Sequence, residues 1–329
     1  MSPRSLNRLL NSLALLVLTT LAVAPILLLS QQVVESLIRD NLNYFYFYDN
    51  LFLVETFKGA YLFFSAVVGA SEPLSFLYLY VFSKIGVAYP TAILIKNLVF
   101  TWVIWRFVAT KLRLTPLTLL FLIYIATDFY LFRLMGELQR LSMAAILLLL
   151  PFALTPRYPL LSYVAAVLSH LQVIILAPLL VLERRRFILG TLGLLLVAPV
   201  IVYLGARKLS VYLDLRPEAV AKTLALSVPF FVISLVAGKA MLISWLRLTF
   251  VIAAAAFLLG TERVIVFYWE ISILTLFIFA KEVGYNRARM LPFYLFLICF
   301  AIPYNSYRLY TEWNFLHNNY QSSVNAAEN

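Results

Sequence analysis

From Leu9 to Ser30 the chain carries no charged residue, and apolar stretches of comparable length recur almost to its end. A bilayer span needs about 20 mostly apolar residues, because in hydrocarbon every backbone N–H and C=O must find its partner inside the segment. The pattern therefore predicts an all-α fold, a polytopic membrane helical bundle with about nine or ten transmembrane helices plus re-entrant or interfacial helices. Of the 329 residues 63% are hydrophobic and only 12% charged, so no sizeable soluble domain is left over. A single integral membrane domain over residues 1–329 is the expectation.

Cys299 is the only cysteine, which excludes a disulfide within the chain and argues against a multi-thiolate metal site. Two histidines, His170 and His317, cannot build a His-rich metal site, and no Gly-rich phosphate loop follows a strand. The expectation is an activity with no cofactor, no metal and no nucleotide hydrolysis. The net charge of +11 comes from 26 basic residues scattered between apolar runs. Scattered cations of this kind anchor loops and meet lipid headgroups, whereas nucleic-acid binding needs a clustered basic surface. Membrane lipids are therefore expected partners and nucleic acid is not.

Residues 9–30 form the first expected span, with Arg4 and Arg8 holding its start in the cytoplasm. A cleaved signal peptide ending at Ala22-Val23-Ala24 is the competing reading, disfavoured by Pro25 after the cut and by the length of the apolar run. From 31 to 89 charges break up the apolar stretches, which predicts an outer segment whose parts 51–69 and 74–86 are interfacial or re-entrant helices. The main bundle follows over 90–309, with spans at 90–109, 115–132, 141–154, 187–206, 225–245, 248–261, 264–281 and 290–307. Residues 158–182 read best as two half-helices meeting near Ser169-His170, which keeps Glu183-Arg184-Arg185-Arg186 inside. The tail, 310–329, is polar and expected to be disordered at its end.

Ionisable groups at membrane depth are costly unless paired or hydrated, so each is a functional candidate. His170 sits in the apolar run AAVLSHLQVIILAP, and an imidazole takes up a proton near neutral pH. The competing reading is a hydrogen-bonded structural histidine. Arg133 and Arg140 are seven residues apart and would share one face if a single helix ran through them, with Glu137 between them to pair with one. Guanidinium groups match phosphate oxygens in bidentate fashion, although an interfacial arginine that snorkels to headgroups fits Arg133 as well. Asp40, Asn43, Tyr44, Tyr46 and Tyr48 put an acid beside an aromatic cluster, and Glu72-Pro73 precedes an apolar helix. A carboxylate near tyrosines could deprotonate or orient a sugar hydroxyl, while Asp and Asn also cap helices.

Four places resemble the EpsG-like branch of the Wzy-type polysaccharide polymerases. Arg39-Asp40-Asn41-Leu42-Asn43-Tyr44 resembles the family's Asp-Tyr-x-Asn-Tyr element, with Asn41 where tyrosine is usual. Glu72-Pro73-Leu74-Ser75-Phe76-Leu77 resembles its Glu-Pro-x-Phe helix start. Arg140-Leu141-Ser142-Met143-Ala144 resembles its Arg-Gln-x-x-Ala element, with Leu141 in place of glutamine, and Ala165 to His170 its Ala-x-x-x-x-His element. Order and spacing agree over about residues 30–182, with Arg287-Ala288-Arg289 a further weak echo. The resemblance implies a metal- and nucleotide-sugar-independent membrane glycosyltransferase of the bacterial inner membrane, its active site facing the periplasm or cell exterior. Its substrates would be polyprenyl-diphosphate-linked oligosaccharides as donor and acceptor, joined into O-antigen, capsule or exopolysaccharide, and a chain-length regulator is a partner the resemblance allows. On this reading Arg140, helped by Arg133 or Arg289, binds the diphosphate; His170 is the base, with Asp40 as alternative; Glu72, Asn43, Tyr44, Tyr46 and Tyr48 contact sugar or hold the site. The rival functions are an O-antigen ligase-like enzyme, differing only in acceptor, and a lipid-linked sugar flippase or other transporter, against which stand the short chain and the lack of an internal repeat.

Overall fold

The computed structural model describes residues 3–69, 72–111, 114–154, 159–170, 173, 217–259, 268–269, 272–273, 276 and 287–328. Among the described residues the regular structure is helical throughout. The chain divides into two compact units, one of Met1–His170 with Cys299–Asn329, the other of Leu171–Ile298.

In the first unit, α1 (Pro3–Glu35) is followed by α2 (Asp40–Asp49), a 3-10 turn at Asn50–Leu53, α3 (Phe57–Val67) and α4 (Pro73–Lys84). The short helices α3 and α4 lie at about the positions of the two short segments expected at 51–69 and 74–86. Thr56 starts α3 by accepting the Gly59 N–H, and Pro73 opens α4 at a position where its missing N–H costs nothing. Phe47, Phe64 and Phe76 lock α2, α3 and α4 together, with ring centroids 5.1–6.2 Å apart, Phe47 and Phe64 edge to face and both tilted against Phe76. Then come α5 (Tyr89–Lys111), α6 (Pro116–Ala126), α7 (Phe129–Gly136), α8 (Gln139–Ala153) and α9 (Pro159–Ser169). Helix α1 packs against α5, α6 and α7, and α5 against α8.

The expected span 115–132 is in fact broken. Asp128 accepts the Tyr130 and Leu131 N–H groups at 2.9 and 3.2 Å, capping a new helix that leaves α6 at 50°. A second break at Glu137-Leu138 separates α7 from α8. Arg133 and Arg140 therefore do not share a helix face, because no single helix contains both. At Gly136 a Cβ would lie 3.3 Å from Ser30 Cα and 3.4 Å from Val33 Cβ, so α7 ends in backbone contact with α1. Gly136→Ala is expected to destabilise the protein by about 1–3 kcal/mol, read as a lower unfolding temperature of the detergent-purified protein; an unchanged temperature would contradict the close approach.

The second unit contains α10 (Pro217–Ala237), α11 (Lys239–Leu259) and α12 (Arg287–Phe296). The helix boundary expected between 245 and 248 lies instead at Gly238, whose φ of 119° suits glycine and ends α10. Phe230 packs edge to face on Tyr268, Trp269 and Phe296. The expected spans 187–206 and 264–281 fall wholly or mostly outside the described residues.

Four helices of the described residues are long and apolar enough to cross a membrane, at Leu9–Glu35, Tyr89–Ala109, Val220–Ala237 and Met290–Leu316, the last continuing through a π-helical turn at Leu297–Ala301; the bent α6–α7 pair is a fifth candidate. The protein is a helical membrane protein. The tail, 310–329, begins inside α13, which runs from Ile302 to Glu328. Its first turns are anchored by Arg308 over the Phe129 ring at 4.3 Å and by Glu312 on Arg39 at 2.6 Å. A helix nucleated by such contacts propagates at little cost.

Candidate functional site

Helix α4 begins with Glu72 at its N-cap position, yet the Glu72 side chain caps nothing. It turns instead toward α8, where the Arg140 Nη1 donates to Glu72 Oε2 at 2.8 Å. Arg140 stands in the first turn of α8, and its Nε donates to the Tyr44 hydroxyl of α2, also at 2.8 Å. His170 follows the last residue of α9, with its Nδ1 3.6 Å from Glu72 Oε1. Its place is fixed from α4, since the Ser75 hydroxyl donates to the Ser169 carbonyl at 2.8 Å. The first half of the expected broken pair thus ends where the sequence put the break; the second half lies outside the described residues.

Tyr44, Glu72, Arg140 and His170 come from four helices, and all were singled out from the sequence. Glu72 and Tyr44 are buried, and the Arg140 side chain is 19% exposed. Burial pushes the Tyr44 phenol up to about 12, against the opposing pull of Arg140, so it stays protonated near neutral pH and is no general base. Guanidinium has five N–H donors; the two bonds above engage two of them, leaving three on Arg140 for an anion. Glu72 bridges the cation and the imidazole, with Arg140 on one carboxylate oxygen and the His170 ring against the other.

The remaining candidates are elsewhere or serve the fold. Asp40 and Asn43 lie on the exposed side of α2, as does Tyr46, which leans on Phe63. Asp40 reaches the cluster only through its charge on Tyr44. The Tyr48 hydroxyl donates to the Val87 carbonyl at 2.6 Å, a bond that ties α2 to the start of α5. Arg133 pairs with Glu137 at 2.9 Å, and Glu137 also binds Arg39; this second charge cluster, completed by Glu312, holds α7, the α1–α2 turn and α13 together. Leu37 and Arg39 adopt φ of 53° and 60° in that turn, which costs about 1–3 kcal/mol each, and the two ion pairs of Arg39 help to hold it. Arg289 belongs to α12 in the second unit, and its side chain falls outside those described.

Sequence reasoning missed the polar node under Arg140. Breaking the chain after α7 leaves its last carbonyls without helical partners. Asn41 Nδ2 donates to the Gly136 carbonyl at 2.7 Å and Asn97 Nδ2 to the Met135 carbonyl at 3.0 Å. Gln139 Nε2 donates to the Gly136 carbonyl at 2.9 Å and to Asn41 Oδ1 at 3.2 Å, while Tyr89 donates to Asn41 Oδ1 at 3.0 Å. Lys96 of α5 donates to Gln139 Oε1. Lys96 and Asn97 interrupting the apolar run of α5 were the visible signal.

Among the described residues no three His, Cys, Asp or Glu side chains gather as a metal site requires. No family model, curated protein or solved structure matches the chain.

Proposed function

We propose that this protein is a membrane glycosyltransferase that joins polyprenyl-diphosphate-linked oligosaccharide repeat units into a surface polysaccharide, with the Tyr44–Arg140–Glu72–His170 cluster as its reaction centre. The observation that carries the reading is the convergence of a fixed cation, a carboxylate and an imidazole at one partly open point of a membrane protein. The donor brings its own leaving group. An acceptor hydroxyl attacks the anomeric carbon of the donor sugar, the bond from that carbon to the diphosphate oxygen breaks, and the hydroxyl proton passes to the His170 imidazole. Arg140 meets the negative charge that grows on the departing diphosphate, the term of largest weight in such a step. Glu72 holds both groups and stabilises the imidazolium that forms. The chemistry asks for a site open to the outer face of the inner membrane.

The test is product analysis with purified protein in liposomes and a polyprenyl-diphosphate-linked repeat unit. Polymerisation gives a ladder of products and one released polyprenyl diphosphate for each unit added. A single addition to a different acceptor would indicate a ligase, and movement of the lipid across the bilayer without release would indicate a flippase.

A further inference from the structure

Lys96 is 4% exposed in the middle of an apolar helix, and the reaction just described gives it no task. Among the described residues its hydrogen-bond partner is an amide, Gln139 Oε1, and no carboxylate pairs with it. An ionisable group so placed is costly, and only a specific contact offsets it.

The contact has a direction. Lysine is a donor with no acceptor, so it forces the oxygen end of the Gln139 amide toward itself. The NH2 end must then face the other way, onto Asn41 Oδ1 and the Gly136 carbonyl. Asn41 is oriented in turn: its oxygen accepts from Gln139 and Tyr89, and its nitrogen donates to Gly136. The two ends of this relay are the two sides of the candidate site. Gln139 is the residue before Arg140, and Asn41 lies three residues before Tyr44 on α2, nearly one turn away.

We infer that Lys96 is the positioning residue of the site: by fixing which way the Gln139 and Asn41 amides point, it sets the register of α2 against α8 and with it the Tyr44–Arg140 hydrogen bond. A lysine kept only to fill space would leave that bond indifferent to its replacement. This inference rests on the proposed reaction only for its effect on turnover; the geometric part stands without any substrate.

The test incorporates 3-fluorotyrosine at position 44 and reads its fluorine resonance in the purified, ligand-free protein. The Arg140→Gln protein marks the resonance with the bond absent. Lys96→Met, which keeps the length and removes the donor, is expected to move the resonance toward that position, and Lys58→Met on the exposed side of α3 is expected to leave it in place. If Lys96→Met does not fold, Lys96→Met with Gln139→Leu removes both partners and leaves neither unpaired, and the same shift is expected. An unmoved resonance in either folded variant overturns the inference. In the chain-extension reaction Lys96→Met should lower kcat on the order of tenfold to a hundredfold, as a displaced catalytic group does, and Lys96→Arg, again donor-only, should recover part of it. A wild-type protein that extends no chain, with the resonance still shifted by Lys96→Met, would remove the proposed reaction and leave the positioning role standing.

Discussion

Arg140→Ala is expected to abolish chain extension and to destabilise the protein by about 3–5 kcal/mol, because it leaves the buried Glu72 carboxylate without its cation. The two losses have separate remedies. Adding Glu72→Gln removes the orphaned charge and should restore most of the stability, yet it cannot restore a positive charge for the departing diphosphate. The double variant is therefore expected to unfold near the wild-type temperature and remain inactive. Recovery of activity along with stability would mean that Arg140 serves the fold alone. Arg140→Ala should also weaken binding of a short polyprenyl diphosphate, since the three free guanidinium N–H groups are what the anion would meet.

His170→Gln should behave differently. Glutamine keeps a polar group beside Glu72 but takes up no proton, so turnover is expected to fall on the order of 10²–10⁴-fold. Binding of the polyprenyl diphosphate should be little changed, because the cation is untouched. Steady-state kinetics with the lipid-linked unit distinguish the two: kcat falls while KM stays close to that of the wild type. A rise in KM with kcat preserved would make His170 a binding group and reopen the choice of base, with Asp40 disfavoured by its exposed place on α2.

Much of this site was legible in the sequence because charged or hydroxylated residues inside apolar runs have few roles. Glu72 before a helix-opening proline, Arg140 leading into an apolar helix and His170 inside an apolar run each announced themselves. Tyr44 came with them through its neighbours. Hydropathy gave the short helices α3 and α4 for the same reason, since 51–69 and 74–86 are apolar but bounded by charge. What the chain could not reveal was partner choice. Tyr44, Tyr46 and Tyr48 look alike in sequence; their places on α2 send one to Arg140, one outward and one to a backbone carbonyl. Arg133 and Arg140 looked like a pair, and the break at Glu137-Leu138 parts them. Lys96 was read as the interior of a span because its partner, Gln139, is 43 residues away. Asn41, a departure from the pattern the chain resembles, proves to hold the broken end of α7. The partner of Glu312 could not be read either, because it meets Arg39 across most of the chain length.

The measurement that tests the central claim most directly is the product ladder made from a polyprenyl-diphosphate-linked repeat unit by wild-type protein, Arg140→Ala with Glu72→Gln, and His170→Gln, each at equal folded concentration. The account predicts a multi-step ladder from the wild type, none from the double variant and at most a trace from His170→Gln. A ladder of wild-type length and rate from both variants would contradict it, since the chemistry would then be done elsewhere in the protein.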